Sequence, residues 1–186
     1  MRYLMGIDFG GGSSKATLIN EEGKIMASAI EEYPMLYPHN GWAEQDMEDL
    51  YRAFIRNIKN IIELSHVNPK DIKAVSLDGG THIAVLLDEN DKVIRPAIYW
   101  SDSRSVEESK ELAVIKDELI ELSYNCPGPL WTLPQMMWLR KHEPENFKRI
   151  TRVLFLKDYI RYSLIGKIAT DSIEVMGAML RDERRN

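Results

Sequence analysis

Cysteine is almost missing from this sequence: Cys126 is the only one among 186 residues. No intramolecular disulfide can form, and no zinc site can be built on clustered thiolates. Cys126 lies between Asn125 and Pro127 with no dedicated base beside it in the sequence, which argues against a thiol enzyme. Long hydrophobic runs are equally scarce. No uninterrupted apolar stretch approaches the roughly 20 residues that cross a bilayer. Asp8 also breaks the opening run MRYLMGIDFG too early for a signal peptide. Nor is there an excess of positive charge. The formal net charge is −5, which excludes a general electrostatic attraction to nucleic acid or an anionic membrane while leaving room for a local cationic site. His39, His66 and His142 are scattered among polar residues and read as surface positions rather than metal ligands. Internal repeats and low-complexity tracts are absent. A cytoplasmic location fits the single cysteine.

What is present alternates between strand and helix patterns. Residues 3–9 form a short apolar strand candidate that runs directly into Gly10-Gly11-Gly12. Residues 15–20 and 24–30 read as two antiparallel strands joined by the turn Asn20-Glu21-Glu22-Gly23. The segment 32–46, with Pro34, Pro38 and Gly41, reads as a loop belonging to a site rather than as a linker. Asp46 is placed to cap the helix that follows, and Leu50, Phe54, Ile58, Ile61 and Ile62 outline its apolar face as far as Asn68-Pro69. Strands are expected at 72–77, 83–87 and 153–155. Helices are expected from Ser101 or Asp102 to about Leu122, over 133–141, and over 157–164 with Gly166 as C-cap. This order implies an α/β chain with a central sheet, in which the strand at 72–77 returns parallel to the first through a right-handed crossover. The length suits one domain, or one large incomplete domain.

The run Gly6-Ile7-Asp8-Phe9-Gly10-Gly11-Gly12-Ser13-Ser14-Lys15 carries the most chemical information. Successive glycines allow positive φ and leave no side chains between the turn and a ligand. Their N–H groups can cradle phosphate oxygens, supplemented by the hydroxyls of Ser13 and Ser14. Asp8 would repel a phosphate directly, so its useful role is to hold hydrated Mg²⁺ beside one. Lys15 can add positive charge or point into solvent. The run is neither a P-loop nor a dinucleotide fingerprint, because a strand follows it instead of a helix. A flexible hairpin turn is the alternative.

Two further clusters stand out. Asp78-Gly79-Gly80-Thr81-His82 places polar groups at a strand end, where Thr81 and His82 can bond a substrate hydroxyl and Asp78 can position a hydroxyl or a metal-bound water. The alternative is a tight hairpin with His82 packed on an aromatic ring. In Tyr99-Trp100-Ser101-Asp102-Ser103-Arg104, Trp100 can lie against the C–H face of a sugar while Asp102 and Arg104 bond its hydroxyls. The competing reading is a helix cap at Ser101 or Asp102, a salt bridge from Arg104, and cation–π contact between Arg104 and Trp100. Trp42 reads as a loop anchor, and Trp131, Met136, Met137 and Trp138 as packing residues.

With these residues in view, the sequence resembles the FGGY carbohydrate kinases, especially their xylulose kinase-like branch. Residues 6–15 match the opening phosphate motif, and Gly41-Trp42-Ala43-Glu44-Gln45-Asp46 matches the Trp-x-Glu-Gln-Asp loop. Residues 79–82 match the substrate-side segment that often ends in Met-His. Residues 96–104 match the run Pro-Ala-Ile-x-Trp-x-Asp-x-Arg. Lys157-Asp158-Tyr159-Ile160 and residues 170–182 follow later family patterns. The sequence departs from the family at Gly11 and Gly12, where hydroxyl residues are usual, and at Gly80-Thr81, which replaces Gln-Met.

The resemblance implies an actin-like (ribonuclease H-like) α/β ATPase lobe with a mixed central sheet and flanking helices. Residues 1–186 would be an incomplete amino-terminal lobe, without the carboxy-terminal lobe that partners it. ATP and Mg²⁺ would be the cofactors, with Asp8 as metal-site residue and Gly10, Gly11, Gly12, Ser13, Ser14 and Lys15 around the phosphates. Gly80, Thr81, His82, Trp100, Asp102 and Arg104 would face the sugar side. The substrate would be a sugar or polyol, most simply a ketopentose such as xylulose. The family's catalytic base is expected beyond Asn186, so residues 1–186 alone are expected to be inactive. Neither a nucleic acid nor a membrane partner is implied, and a homodimer is compatible. The alternatives are a catalytically inactive sugar-sensing or regulatory protein on the same fold, and a purely structural or oligomerisation domain.

Overall fold

Alternation of apolar and polar residues in Tyr3–Phe9 and Ser13–Asn20 sends Met5, Ile7, Phe9, Ala16 and Leu18 to one face, where all five are buried. The computed structural model describes residues 2–182 and residue 184. In chain order its elements are β1 (Tyr3–Phe9), β2 (Ser13–Asn20), β3 (Ile25–Glu32), β4 (Glu44–Gln45), α1 (Met47–Ser65), β5 (Ile72–Gly79), β6 (Ala84–Leu87), β7 (Ala97–Ile98), α2 (Val106–Ala113), α3 (Lys116–Ser123), α4 (Thr132–His142), α5 (Pro144–Arg149), β8 (Arg152–Phe155), α6 (Leu156–Ile165) and α7 (Ser172–Ala178). They divide into two compact units. Unit 1 is Met1–Met35 with Met47–Gly80, and unit 2 is Leu36–Asp46 with Thr81–Asn186.

Unit 1 is a four-stranded mixed sheet in the order β3-β2-β1-β5, with α1 on one face. β1 runs antiparallel to β2 and parallel to β5, as the crossover through α1 requires. α1 buries Leu50, Ala53, Phe54 and Ile61 against the sheet, and Phe9 and Phe54 stack with centroids 6.2 Å apart. Asn57 is buried in the same stripe. Its Nδ2 donates to the Ser14 carbonyl at 3.1 Å and to the Ser14 hydroxyl at 2.5 Å, so a polar contact ties the helix to the strand after the glycine turn.

Unit 2 has two small antiparallel sheets, β4-β7 and β6-β8, among α2–α7. Ala84, Leu86, Ile98, Trp138 and Leu139 form one apolar cluster against which Trp42 packs; Leu112, Leu119 and Met179 form another, with Trp131 beside it.

Several expectations change. The strands do not share one central sheet: β5 and β6, on either side of Gly80, belong to different sheets, so residues 79–82 are not a hairpin. The helix expected from Ser101 or Asp102 starts at Val106 and breaks after Ala113, with Ser105 at its N-cap position. Asp102 is unavailable as a cap because its carboxylate bonds elsewhere, as described below. Gly166 does end α6 in the left-handed region, at φ +66°.

Candidate functional site

On the face of the sheet away from α1, three charged residues stand side by side at the end of β1. Asp8 is paired in register with Lys15 of β2 on one side and with Asp78 of β5 on the other. Gly6, Asp8, Lys15, Thr17, Ser76 and Asp78 line an open cavity of about 330 Å³. The Asp78 carboxylate accepts its bond from the N–H of Gly79, at 2.8 Å.

The glycine turn beside this cavity is held from below. Gly10 N–H donates to the Ser13 carbonyl at 2.9 Å, and Tyr33 N–H donates to the Gly12 carbonyl at 3.0 Å. The Tyr33 hydroxyl reaches the carbonyls of Gly10 and Ser13 at 2.7 and 2.9 Å. None of Gly10, Gly11 or Gly12 adopts positive φ, contrary to the reason first given for them. A Cβ at Gly10 would stand 3.3 Å from the Ser13 carbonyl and one at Gly12 would meet nothing closer than 3.9 Å, so crowding within the chain does not demand glycine at Gly12. What the glycines provide is bare backbone. Ser14 is a second correction: its hydroxyl is buried and bonds Asn57, so it faces the helix rather than a phosphate. Ser13 and Lys15, of opposite parity in the strand, lie on the open face with Asp8.

This donor set suits Mg²⁺ with a polyphosphate. Magnesium takes one or two carboxylates and keeps water or phosphate oxygens in its remaining positions, and two carboxylates beside one ammonium answer that need. Among the described residues no group of three potential metal-ligating side chains occurs.

The remaining sequence-selected residues, apart from Gly80, lie in unit 2. Gly80 closes unit 1, its N–H donating to the Phe9 carbonyl at 3.1 Å. Thr81 is exposed. His82 follows with φ +62°, and its side chain is only 11% exposed. Its N–H donates to Glu174 Oε2 at 2.8 Å, its carbonyl accepts from the Thr132 hydroxyl at 3.3 Å, and its ring lies 5.0 Å from that of Trp131. Burial holds the imidazole below its ordinary pKa, against the raising effect of Glu174 and Asp171.

Asp102 and Arg104 are interior. Asp102 Oδ1 accepts from Arg104 N and Nε, and Oδ2 accepts from Ala43 N at 2.6 Å and Arg104 Nη2 at 2.8 Å. Arg104 also pairs with Glu44 at 2.7 Å. Its guanidinium lies 3.8 Å from the Trp42 ring centroid and 5.1 Å from that of Trp138, so the cation–π partners are these and not Trp100. Both oxygens of Asp102 are thus engaged within the chain, while Trp100 next to it is 50% exposed.

Sequence reasoning missed Glu174, Lys157, Gly177, Tyr33 and Asn57. Glu174 and Gly177 reach His82 together from α7, and Lys157 reaches Glu174; the family patterns at 157–160 and 170–182 did not mark them as site residues.

Comparison with known proteins decides the family. Residues 3–184 match the family model described as "FGGY family of carbohydrate kinases, N-terminal domain". The chain belongs to the FGGY family of carbohydrate kinases. The xylulose kinase of Bacillus subtilis (strain 168) is 35% identical over 181 residues, covering 97% of this chain and 36% of that protein. That of Escherichia coli (strain K12) is 35% identical over 178 residues, covering 96% and 36%. The crystal structure of xylulose kinase from Rhodospirillum rubrum superimposes with a TM-score of 0.92 at 25% identity, over 98% of this chain and 38% of that one. The mixed sheet with its flanking helix is therefore that of the actin-like, ribonuclease H-like kinases. The chain spans little more than a third of the length of these FGGY relatives. Among the described residues, no helix is long and apolar enough to cross a membrane.

Proposed function

We propose that the complete protein containing this chain phosphorylates a hydroxyl of a sugar or polyol, with a ketopentose such as xylulose as the leading substrate. The observation that carries the reading is the row Lys15–Asp8–Asp78 on the open face of the sheet, beside a turn of bare backbone. Similarity to xylulose kinases supports the choice of sugar.

ATP bound with Mg²⁺ would supply the transferable phosphoryl group. Asp8, with Asp78 beside it, would hold the cation through its water shell, and Lys15 would offset negative charge on the phosphates. Gly11, Gly12 and Ser13 would let phosphate oxygens come close to the chain, and Gly10, whose N–H donates to the Ser13 carbonyl, would shape the turn. Gly80, Thr81, His82 and Trp100 would meet the sugar: Thr81 and His82 through hydrogen bonds, Trp100 through its exposed ring. Asp102 and Arg104 would act indirectly, by holding the Trp42 and Trp100 segments in place. The proton acceptor for the attacking hydroxyl is assigned to none of the described residues.

The test is ADP release by the complete protein across a panel of ketoses and polyols, with ATP and Mg²⁺. Asp8→Ala should lower kcat by about 100-fold or more, as loss of a group acting on transition-state charge does. A folded complete protein that is inactive on the whole panel would sink the reading and return the non-catalytic sugar-sensing alternative.

A further inference from the structure

His82 is gripped more closely than a surface hydroxyl contact requires. Its N–H and carbonyl are both bonded, to Glu174 and Thr132. Its ring rests on Gly177 so directly that a Cβ there would fall 1.7 Å from Cε1, 2.1 Å from Nδ1 and 2.3 Å from Nε2. Nδ1 is buried, has no hydrogen-bond partner, and lies 3.6 Å from Glu174 Oε2.

Glu174 is itself an unusual neighbour. It is 1% exposed, and its carboxylate is flanked by the Lys157 ammonium, 3.6 Å from Oε1. Lys157 also reaches Asp171 at 2.7 Å and Asp158 at 3.1 Å. Asp171 in turn caps α7 by accepting from the N–H groups of Ile173 and Glu174. The groups around the imidazole are therefore Glu174, Lys157, Asp158 and Asp171, all belonging to unit 2. None of them is explained by packing alone, since an apolar residue at position 174 would fill the same buried space without desolvating a charge.

An imidazole chooses its tautomer by what faces each nitrogen. A lone pair on Nδ1 pointing at a carboxylate oxygen is repelled; an N–H there is attracted, even at a distance longer than a hydrogen bond. With the proton on Nδ1, Nε2 keeps its lone pair and becomes an acceptor. We propose that Glu174 is a positioning residue that fixes His82 as the Nδ1–H tautomer, so that Nε2 accepts a hydrogen bond from a hydroxyl of the sugar. The inference rests on the reading of His82 as a sugar-side residue. Gly177 completes the arrangement by admitting the ring flat against the α7 backbone.

The test uses the complete protein labelled with ¹⁵N in histidine imidazoles, and His82→Asn assigns the signals. Without sugar, the wild type should show a protonated-type Nδ1 and an unprotonated-type Nε2 for His82 at neutral pH. Glu174→Gln keeps an oxygen for the His82 N–H but removes the anion, and should shift the population toward Nε2–H. In kinetics the same variant should raise KM for the sugar at least tenfold while leaving KM for ATP unchanged. Gly177→Ala, which displaces the ring with the carboxylate intact, should also disturb the Nδ1–H form and the sugar KM. An Nε2–H tautomer in the wild type, or a tautomer unchanged in Glu174→Gln, overturns the proposal. Wild-type inactivity toward every ketose and polyol counts against the kinase reading alone, because the tautomer is measured without sugar.

Discussion

Arg104 has a side chain with no exposed surface, and its charge is matched by Asp102 and Glu44 while its plane faces two indoles. Such a group is held by geometry as much as by charge: Nε and Nη2 of a planar fork meet carboxylates while its plane meets rings, an arrangement that a lysine ammonium would not match. Removing Arg104 leaves the Asp102 carboxylate buried without its cation, although Glu44 keeps Arg95, and breaking a buried pair costs about 3–5 kcal/mol. Arg104→Met should therefore lower the unfolding free energy by that order in urea titrations, and Arg104→Lys should recover only part of it. Loss of activity in these variants should track loss of folded protein, since the Arg104 side chain has no exposed surface. Asn57 makes the same point in unit 1. Its position in the apolar stripe of α1 looks like a flaw until its amide is seen bonding the Ser14 hydroxyl and carbonyl.

The short helix α7 shows how an element can matter beyond its size. Its seven residues bring Glu174 and Gly177 to His82, and its start is fixed by Asp171, whose Oδ1 accepts from two backbone N–H groups at 2.9 and 3.0 Å. Lys157 on α6 holds the other oxygen of Asp171 and keeps its carboxyl below the usual range. Asp171→Ala should cost about 0.5–2 kcal/mol, the usual range for a lost N-cap. Asp171→Asn, which can still cap, should cost less. Chemical denaturation with tryptophan fluorescence measures both, and the larger loss should come with a higher sugar KM because Glu174 rides on the same turn. The late start of α2 is also a matter of element context. The polar stretch 101–122 reads as one helix, but Asp102 and Arg104 are drawn into a buried network, Ser103 bonds the Gly41 carbonyl, and α2 starts only at Val106.

At the scale of the whole molecule, the buried charges set a pH dependence whose sign can be worked out. Burial, opposed by the His82 N–H and Lys157 but reinforced by Asp158 and Asp171, holds the Glu174 carboxyl above its ordinary value of 4.5. The folded state then binds the proton more tightly than the unfolded state, so stability falls as pH rises from about 4.5 through the raised value, and the penalty is complete above it. His82 runs the other way on the pH axis: its folded value is depressed, so its contribution is present above about 6.5 and is lost as pH falls below that. Glu174→Gln should therefore gain stability relative to wild type as pH rises through the window above 4.5. Paired urea titrations at a series of pH values provide the check. A variant that is at least as stable as wild type at neutral pH yet weaker for sugar would separate positioning from simple structural support.

Much of this was open to a reader of the sequence alone. The apolar strands at 3–9 and 15–20, the turn at Gly23, the amphipathic helix after Asp46, the returning strand at 72–77 and the cap at Gly166 are local patterns, and short-range sterics and burial dictate them. The phosphate-side candidates Asp8 and Gly10–Gly12 were legible for the same reason, since they are contiguous. Tertiary structure decided everything that depends on which distant residues meet. It turned the Ser14 hydroxyl toward Asn57, engaged both oxygens of Asp102, placed Asp78 in register beside Asp8 on the neighbouring strand, and brought Glu174 across 92 positions to His82. A one-dimensional pattern records the period of an element and therefore which face a side chain takes; it does not record what the opposing element presents to that face. That is why the residue types of this candidate site could be named from sequence, while the division between those engaged by other residues of the chain and those left on an open face could not.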